Sequence, residues 1–132
     1  MTATTRLLTV LATVSGLVVC AWFALGIRQA TDQSRAQAII AAGPPSPAEA
    51  RRARQLLNSA GTLNPDRQID LDRSALLNQT GRRLAARRIA LGVARAEPQN
   101  LAAWLAVGAT VGDNRRLGLA IIAHVLELDP LH

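Results

Sequence analysis

Hydrophobic and polar positions divide the chain into an apolar N-terminal stretch and a longer amphipathic remainder. From Leu7 to Ile27 there is no charged residue. A helix over these 21 residues is about 31 Å long, which matches the hydrocarbon core of a bilayer. Trp22 and Phe23 lie near one end of the stretch, where aromatic side chains meet the membrane surface. The pattern therefore predicts an N-terminal transmembrane anchor over residues 1–27.

A cleaved secretion signal is the competing interpretation of the same stretch. Such a signal normally has a shorter apolar core, of about 7–15 residues, and a more basic start than Arg6 provides. Ala24-Leu25-Gly26 offers a weak cleavage site. Arg28 and Arg35 follow the stretch closely, so the distribution of basic residues does not fix an orientation. Because a single N-terminal anchor usually precedes an exported domain, we expect a single-pass protein of the plasma (inner) membrane with an extracytoplasmic domain.

Polar residues take over after the anchor. Gln, Ser and Asp replace apolar residues, and Gly43-Pro44-Pro45 then ends the helix, because proline lacks a backbone donor and clashes with the preceding turn. Ser46 and Glu49 enclose a proline in the pattern of a capping box, which starts a new helix. We therefore predict a juxtamembrane stalk and hinge over residues 28–45 and a helical domain over residues 46–132.

The remaining chain divides into five predicted helices. Its apolar residues recur at helical spacing, and no segment alternates apolar and polar residues as a half-buried strand does. Glycine, proline and N-cap residues mark the helix ends, and Asp113 is the predicted cap of the last helix. The predicted fold class is therefore all-α. The predicted helices cover residues 47–60, 66–79, 82–96, 100–111 and 114–128.

A set of four positions recurs three times in this helical region. A small residue is followed by small or apolar residues four and seven positions later, and by a proline five positions after the last of these. The second set lies 33 residues after the first, and the third set lies 32 residues after the second. A fixed period of this size indicates stacked helix–turn–helix units. The sets are Ala53, Leu57, Ala60 and Pro65; Ala86, Ala90, Val93 and Pro98; and Gly118, Ile122, Val125 and Pro130.

The last unit carries the most specific residues. Its first helix has Trp104 and Gly108 at the spacing Trp-x2-Val-Gly-x2-Val, before Gly118-x3-Ile122 and the proline. This pattern resembles the tetratricopeptide repeat, a helix–turn–helix unit of about 34 residues with Trp-x2-Leu-Gly-x2-Tyr, Ala-x3-Phe and Pro. The resemblance covers about residues 47–130, as two units and the second helix of an earlier one. It implies a short, degenerate array of helical hairpins that acts as a protein-interaction module.

Small residues at the repeated positions let neighbouring helices approach closely, and larger apolar residues fill the space beside them. Valine, alanine and isoleucine occupy the aromatic places of the repeat. The expected core is therefore thin, and the array falls short of the roughly three units that stability requires. We expect a partner protein, self-association with a second copy of the chain, or the stalk to stabilise it. The residues expected to pack the repeats are Ala53, Leu57, Ala60, Ala86, Ala90, Val93, Trp104, Gly108, Gly118, Ile122 and Val125.

The resemblance also implies a binding groove, formed by the first helix of each unit, that holds a protein or peptide segment of unknown identity. Together with the anchor, this makes a membrane-tethered, non-enzymatic adaptor or scaffold the expected function. The predicted groove residues are Ile69, Asp72, Leu76, Gln79, Ala102, Leu105 and Ala109.

Arginine provides all 15 basic residues, and the net charge is +6. One interpretation is a surface that binds anionic lipid headgroups or an acidic cell-envelope polymer, which is the alternative function. The other is the composition of a GC-rich genome, in which arginine, alanine, glycine and leucine rise together and the arginines lie on solvated helix faces. Nucleic acid is not expected as a partner, because two of the three aromatic residues lie in the anchor and too few remain for base stacking.

Residues with catalytic or metal-binding potential form no recognisable site. His124 and His132 belong to no familiar metal-ligand spacing. Asp66, Asp70 and Asp72 cluster near the start of a predicted helix, where acidic residues favour the helix dipole. We therefore expect no enzyme activity, catalytic residue, metal or cofactor.

Overall fold

The computed structural model describes residues 3–62 and 64–129, with side chains from residue 11 onward. These residues form α-helices and turns and contain no strand, which confirms the predicted all-α fold class. Leu63, Pro130 and His132 lie outside the described residues. The six helices of the described part are α1 (Ala3–Ala41), α2 (Pro47–Ala60), α3 (Gln68–Gln79), α4 (Arg83–Ala96), α5 (Leu101–Ala109) and α6 (Arg115–Leu128).

Helix α1 is 39 residues long, which corresponds to about 58 Å. Over Leu11–Ala41 it is the one helix in the described part of the chain that is long and apolar enough to cross a membrane. Most of its described apolar part is exposed: Leu17, Trp22 and Ile27 are 66%, 66% and 67% exposed, whereas Leu25 is partly buried. This exposure fits a membrane span and a signal sequence alike, since both are N-terminal apolar helices.

The last part of α1, residues 28–41, packs against α2 and α3. Ala36 is fully buried there, and the isoleucines that follow it are partly buried. Asp32 accepts a hydrogen bond from the Ser59 hydroxyl at 2.7 Å, so polar positions of this segment also hold it in place. The expected stalk is therefore corrected: residues 28–41 form the first helix of a hairpin with α2, and Gly43-Pro44-Pro45 lies in the turn.

The described helices form three hairpins, α1 with α2, α3 with α4, and α5 with α6. Each hairpin turn contains a glycine with positive φ, at Gly43 (110°), Gly81 (79°) and Gly112 (58°). Glycine adopts this conformation without the steric cost that a side chain brings. Helices α2 and α4 each contact the first helix of the next hairpin, so the hairpins stack in chain order. The result is a repeat-like helical array.

The capping box predicted at the start of α2 is present. The Ser46 hydroxyl accepts a hydrogen bond from the Glu49 backbone N–H at 3.3 Å, and the Glu49 carboxylate accepts one from the Ser46 backbone N–H at 2.8 Å. Hydrogen bonds from the Ser46 side chain and backbone lower the pKa of Glu49 below its ordinary value, because they favour the ionised carboxylate. Pro47 lies in the first turn, where its missing N–H is not needed.

Local hydrogen bonds explain where the helices differ from the predicted ones. Helix α3 begins at Gln68 rather than at Asp66, because the Asp66 carboxylate accepts from the Gln68 backbone N–H at 2.8 Å and holds a turn before the helix. The prediction that Asp113 caps α6 is wrong. Asn114 is the cap, and its side-chain oxygen accepts from the Leu117 backbone N–H at 3.2 Å. An N-cap must stand directly before the first turn, and Asn114 holds that place.

Two hydrophobic clusters form the core, and α3 contributes to both. Ile69 and Leu76 lie in the first cluster, and Leu71 lies in the second. The Ser74 hydroxyl donates to the Ala86 carbonyl at 2.9 Å, a distance that requires close approach of α3 and α4. The buried residues of the first cluster are Ala36, Ala50, Ala53, Leu57, Ala60, Ile69 and Leu76, and those of the second are Leu71, Ala90, Val93, Ala94, Ala103, Val107, Val111 and Ile121.

The residues expected to pack the repeats lie mostly between helices. Trp104 donates from its indole N–H to the Pro98 carbonyl at 2.9 Å, and its ring meets the His124 ring edge-on at 4.5 Å. A Cβ added to Gly108 lies 3.5 Å from a side chain of α6, so this glycine marks a close approach. Ile122 differs, since it is 56% exposed. Gly118 and Val125 are partly buried, whereas full or nearly full burial is found at Ala53, Leu57, Ala60, Ala86, Ala90 and Val93.

Replacing Gly81 with alanine is expected to lower the free energy of unfolding by about 1 kcal/mol, because a side chain strains a backbone with positive φ. No atom lies within 4 Å of the added Cβ, so the effect is conformational alone. Gly92 is the matched control, since it lies inside α4 with equally open surroundings. Gly92→Ala is expected to stabilise the protein by about 0.5–1 kcal/mol. Urea titration followed by circular dichroism measures the change in unfolding free energy for both variants. Changes of the same sign would show that the positive φ of Gly81 does not determine the effect.

Candidate functional site

The first helices of the three hairpins lie side by side and form one surface, the first-helix face. It consists of residues 28–41 of α1, then α3, then α5, and α3 contacts both neighbours. Gln79 donates from Nε2 to the Ile40 carbonyl at 2.8 Å, and Asn78 donates from Nδ2 to the Ala109 carbonyl at 3.2 Å. Side chains near the end of α3 therefore fix the positions of both neighbouring helices.

A cleft of about 230 Å³ opens on this face between α3 and α5. Three of its lining residues are alanines, Ala75, Ala106 and Ala109. Their short side chains leave space between the two helices that larger residues would fill. We call this space the α3–α5 cleft. Its other lining residues are Ser74, Asn78, Gln79 and Thr110.

Gln79, which lines the α3–α5 cleft, has a buried side-chain acceptor. Its Nε2 donates to the Ile40 carbonyl, which identifies the nitrogen end of the amide, because only the nitrogen can donate. The Oε1 atom is buried and has no hydrogen-bond partner among the described residues. An unsatisfied buried acceptor costs about 1–3 kcal/mol.

Asp72 links α1 to α3 and is not an exposed groove residue. Its carboxylate accepts amide hydrogen bonds from Gln33 at 3.3 Å, Gln37 at 3.0 Å and Gln68 at 3.1 Å. Only 8% of Asp72 is exposed. The three amide donors satisfy its oxygens without a cation. The expectation that Asp72 contacts a partner is therefore corrected, and its observed role is to hold two first helices together.

Two other predicted groove residues are also buried. Ile69 and Leu76 are 1% and 3% exposed and belong to the core cluster that α1, α2 and α3 share. A partner cannot reach them in this structure. The physical reason is the position of residues 28–41, which cover the side of α3 that a free stalk would have left open.

The remaining predicted groove residues are accessible but do not form one site. Gln79 and Ala109 line the α3–α5 cleft. Ala102 is exposed on α5, and Leu105 lines a separate cavity against α6. The cleft residues of α3 could have been predicted from the sequence, because they lie at helical spacing from Asp72, a predicted groove residue. The alanines of α5 have no sequence feature that marks them as cleft residues. The cleft residues absent from the prediction are Ser74, Ala75, Asn78, Ala106 and Thr110.

The arginines concentrate on α2, α4 and α6, the second helices of the hairpins. Within the described residues, ion pairs of arginine join Arg67 and Arg73 to Asp70, at 3.9 and 3.0 Å. Arg87 donates to the Thr110 carbonyl at 2.5 Å and joins α4 to the end of α5. The second helices also carry exposed arginines that form no ion pair with a described carboxylate. These are Arg51, Arg52, Arg54, Arg83, Arg88, Arg95, Arg115 and Arg116.

The aspartates near the start of α3 each have a structural partner. Asp66 accepts from a backbone N–H at the start of the helix, Asp70 pairs with Arg67 and Arg73, and Asp72 accepts from three glutamine amides. In the part of the chain that the structure describes, no three His, Cys, Asp or Glu side chains come together as a metal site requires. The acidic cluster is thus explained by folding contacts.

Comparisons with known proteins return no relative: no protein-family model matches the chain, and no curated protein or solved structure matches it. The fold alone therefore defines the class of protein. It is an all-helical, repeat-like array of hairpins that begins with a long apolar helix capable of crossing a membrane.

Proposed function

We propose that the protein is a membrane-tethered, tetratricopeptide-like adaptor whose α3–α5 cleft holds an extended segment of a partner protein. The observation that carries the proposal is the cleft itself, a gap of about 230 Å³ on the first-helix face whose lining includes three alanines. Its polar lining groups, such as the Gln79 amide, offer hydrogen-bond partners to a peptide backbone. The alanines of the cleft leave room for the segment to approach.

The order of helix contacts supports the tetratricopeptide-like assignment. Helix α3 lies between α1 and α5, while α2 packs on α3 and α4 packs on α5. Stacked helix–turn–helix repeats make contacts with their sequence neighbours in this manner. In the last hairpin, Trp104 and Gly108 both contact α6, which agrees with the packing role that the repeat pattern assigns to them.

The size of the cleft favours a protein segment over a small molecule. Pockets for drug-sized ligands measure about 300–1,000 Å³, and the α3–α5 cleft, at about 230 Å³, is smaller. It accommodates a side chain of a segment that lies along the first-helix face. Because such a contact is small, we expect a dissociation constant near 1 μM, which corresponds to roughly −8 kcal/mol.

Helix α1 makes the tether rigid. The apolar stretch and residues 28–41 belong to one unbroken helix, so the cleft keeps a fixed orientation relative to the anchor. We place the apolar stretch in the plasma (inner) membrane and the array on its extracytoplasmic side. In this position the adaptor holds a partner segment at a defined height above the bilayer.

Filling the cleft tests the proposal. The probe is a peptide selected from a displayed library against the full-length protein in nanodiscs. We expect Ala106→Leu to weaken its binding by at least about tenfold, because the larger side chain occupies the α3–α5 cleft. Ala120→Leu is the matched control, since Ala120 is exposed on α6 and is not among the cleft residues. Equal affinities for the parent and both variants would place the peptide elsewhere and contradict the proposal.

Binding to an anionic surface is the second candidate function, and the exposed arginines of α2, α4 and α6 favour it. Phosphatidylglycerol vesicles are a suitable probe, with phosphatidylcholine vesicles as the control. Exposed charges are screened over about 8 Å at physiological ionic strength. Capture by the anionic vesicles that falls steeply with added salt supports this function. Capture that is absent, or equal for both lipids, excludes it.

A further inference from the structure

Helix α6 carries a stripe of apolar residues that no described helix covers. Leu119, Ile122 and Leu126 are 60%, 56% and 47% exposed. In the two earlier hairpins the positions equivalent to Ile122 are Leu57 and Ala90. Both are fully buried, in core clusters completed by α3 and α5. The stripe therefore resembles a helix-packing surface that no helix of the described residues occupies. Together with its neighbours on the same side of α6, it defines the α6 face: Arg115, Gly118, Leu119, Ile122, Val125, Leu126 and Asp129.

We propose that the α6 face binds the α6 face of a second copy of this chain, with the two helices antiparallel about a two-fold axis at Ile122. In this register, a residue before Ile122 meets the residue equally far after it in the other copy. Gly118 thus meets Leu126, and Leu119 meets Val125. A leucine opposite a glycine, and a leucine opposite a valine, let the two helices interlock closely.

The charges on α6 fit the same antiparallel arrangement. Arg115 and Arg116 lie at its start, and Glu127 and Asp129 lie at its end, where the Glu127 carboxylate is 3.3 Å from His124 Nδ1 on the same helix. Antiparallel pairing brings the basic start of each helix to the acidic end of the other, and it does so twice. Parallel pairing brings like charges together, which opposes association. The charge pattern thus selects the direction that the apolar residues require.

The other end of the array does not offer an alternative partner for the α6 face. The exposed side of α1 beyond the apolar stretch is largely polar and includes Arg28, Thr31, Ser34 and Arg35, with alanines among them. Head-to-tail stacking would bury these polar groups against leucines without hydrogen-bond partners. A two-fold contact pairs apolar with apolar residues and closes after two copies. This inference is independent of the α3–α5 cleft, which lies on the first-helix face.

Disulfide trapping in the full-length protein tests the interface. Cys20 is the natural cysteine, so Cys20→Ser provides the background. In Ile122→Cys the two sulfurs lie at the axis, where the Cα atoms come within the roughly 4–7 Å that a disulfide spans. We expect this variant to form a covalent dimer on mild oxidation in proteoliposomes. Ala120→Cys, exposed on the opposite side of α6, is expected to stay monomeric. Equal trapping at both positions, or none at Ile122, overturns the proposal.

A mixture of two singly substituted copies tests the register. Gly118→Cys in one copy and Leu126→Cys in the other are expected to link to each other. Gly118→Cys alone is not expected to link, because the two copies of this residue lie about 12 Å apart along the helices. An added Cβ at Gly118 meets its nearest side chain at 3.8 Å, an ordinary contact that the fold accepts. Linkage of Gly118→Cys to itself but not to Leu126→Cys overturns the antiparallel register.

The oligomeric state provides a measurement without cysteines. Mass photometry of the full-length protein in nanodiscs is expected to show two copies per particle. Ile122→Glu places two carboxylates at the axis, and we expect it to yield single copies with unchanged helical content. Ala120→Glu is the matched control and is expected to leave the pairs intact. Single copies of the parent protein, or pairs that persist in Ile122→Glu, overturn the proposal.

Discussion

Leu57→Ala is expected to lower the free energy of unfolding of the helical array by about 3 kcal/mol. Leu57 is fully buried in the cluster that joins α1, α2 and α3. Most of the other buried residues of this cluster are alanines, which are too short to move into the space that the substitution leaves. The loss therefore includes the cost of a cavity as well as the lost transfer of a leucine side chain from water.

Leu84→Ala is the matched control for this prediction. Leu84 is 76% exposed on α4, so the same chemical change is expected to alter stability by less than about 0.5 kcal/mol. Urea unfolding of the full-length protein in detergent micelles, followed by circular dichroism, measures both variants. Equal losses for Leu57→Ala and Leu84→Ala would show that the cluster around Leu57 is not the core of the array.

Ala30→Pro is expected to break α1 between the apolar stretch and the hairpin array, at a cost of about 3 kcal/mol or more. Proline removes a backbone donor from the middle of the helix, and its ring clashes with the carbonyl one turn earlier. The array then loses its fixed orientation relative to the apolar stretch. Ala30 is exposed, so the effect arises from the backbone and not from crowding of the side chain.

Pulsed electron paramagnetic resonance measures this loss of orientation. Spin labels at Trp22→Cys and Arg51→Cys, in the Cys20→Ser background, report the distance from the apolar stretch to α2. We expect a narrow distance distribution in the parent protein and a broad one in Ala30→Pro. Ala30→Leu keeps the backbone donor and is expected to retain the narrow distribution. A narrow distribution in Ala30→Pro would mean that the continuity of α1 does not orient the array.

Local signals in the sequence were sufficient to predict several helices. Ser46, Glu49 and Pro47 marked the start of α2, and the observed α2 covers the predicted residues. The end predicted for α4 also agrees with the structure. These boundaries depend on residues within a few positions of one another. For the same reason Asp113 was a natural but incorrect choice of cap, because the neighbouring Asn114 has a side chain of similar shape and reach.

The first hairpin was harder to predict, because its contacts join residues far apart in the chain. Residues 28–41 continue an apolar helix and contain few large apolar residues of their own. Their attachment depends on Ala36, on the bond between Asp32 and Ser59, and on the amides around Asp72. No local pattern reveals these partners.

The prediction that residues 28–41 form a free stalk also led to the wrong placement of some candidate groove residues. Once residues 28–41 cover α3, Ile69 and Leu76 become core residues, although their positions in the repeat pattern are those of a groove. The α3–α5 cleft is defined by small residues such as Ala75 and Ala106. An alanine in a helix is compatible with almost any environment, so only the positions of the neighbouring helices show that these alanines border a cleft.

Site-specific photocrosslinking in the membrane tests whether the α3–α5 cleft binds a partner protein, as we propose. A photoreactive phenylalanine derivative is placed at Ala109, an exposed residue of the cleft, and at Arg88, an exposed residue of α4 outside it. Adducts are identified by mass spectrometry. We expect Ala109 to yield a recurrent protein adduct that Arg88 does not yield and that Ala106→Leu abolishes. Identical adducts from both positions, or only lipid adducts from Ala109, would show that the α3–α5 cleft does not hold a partner protein.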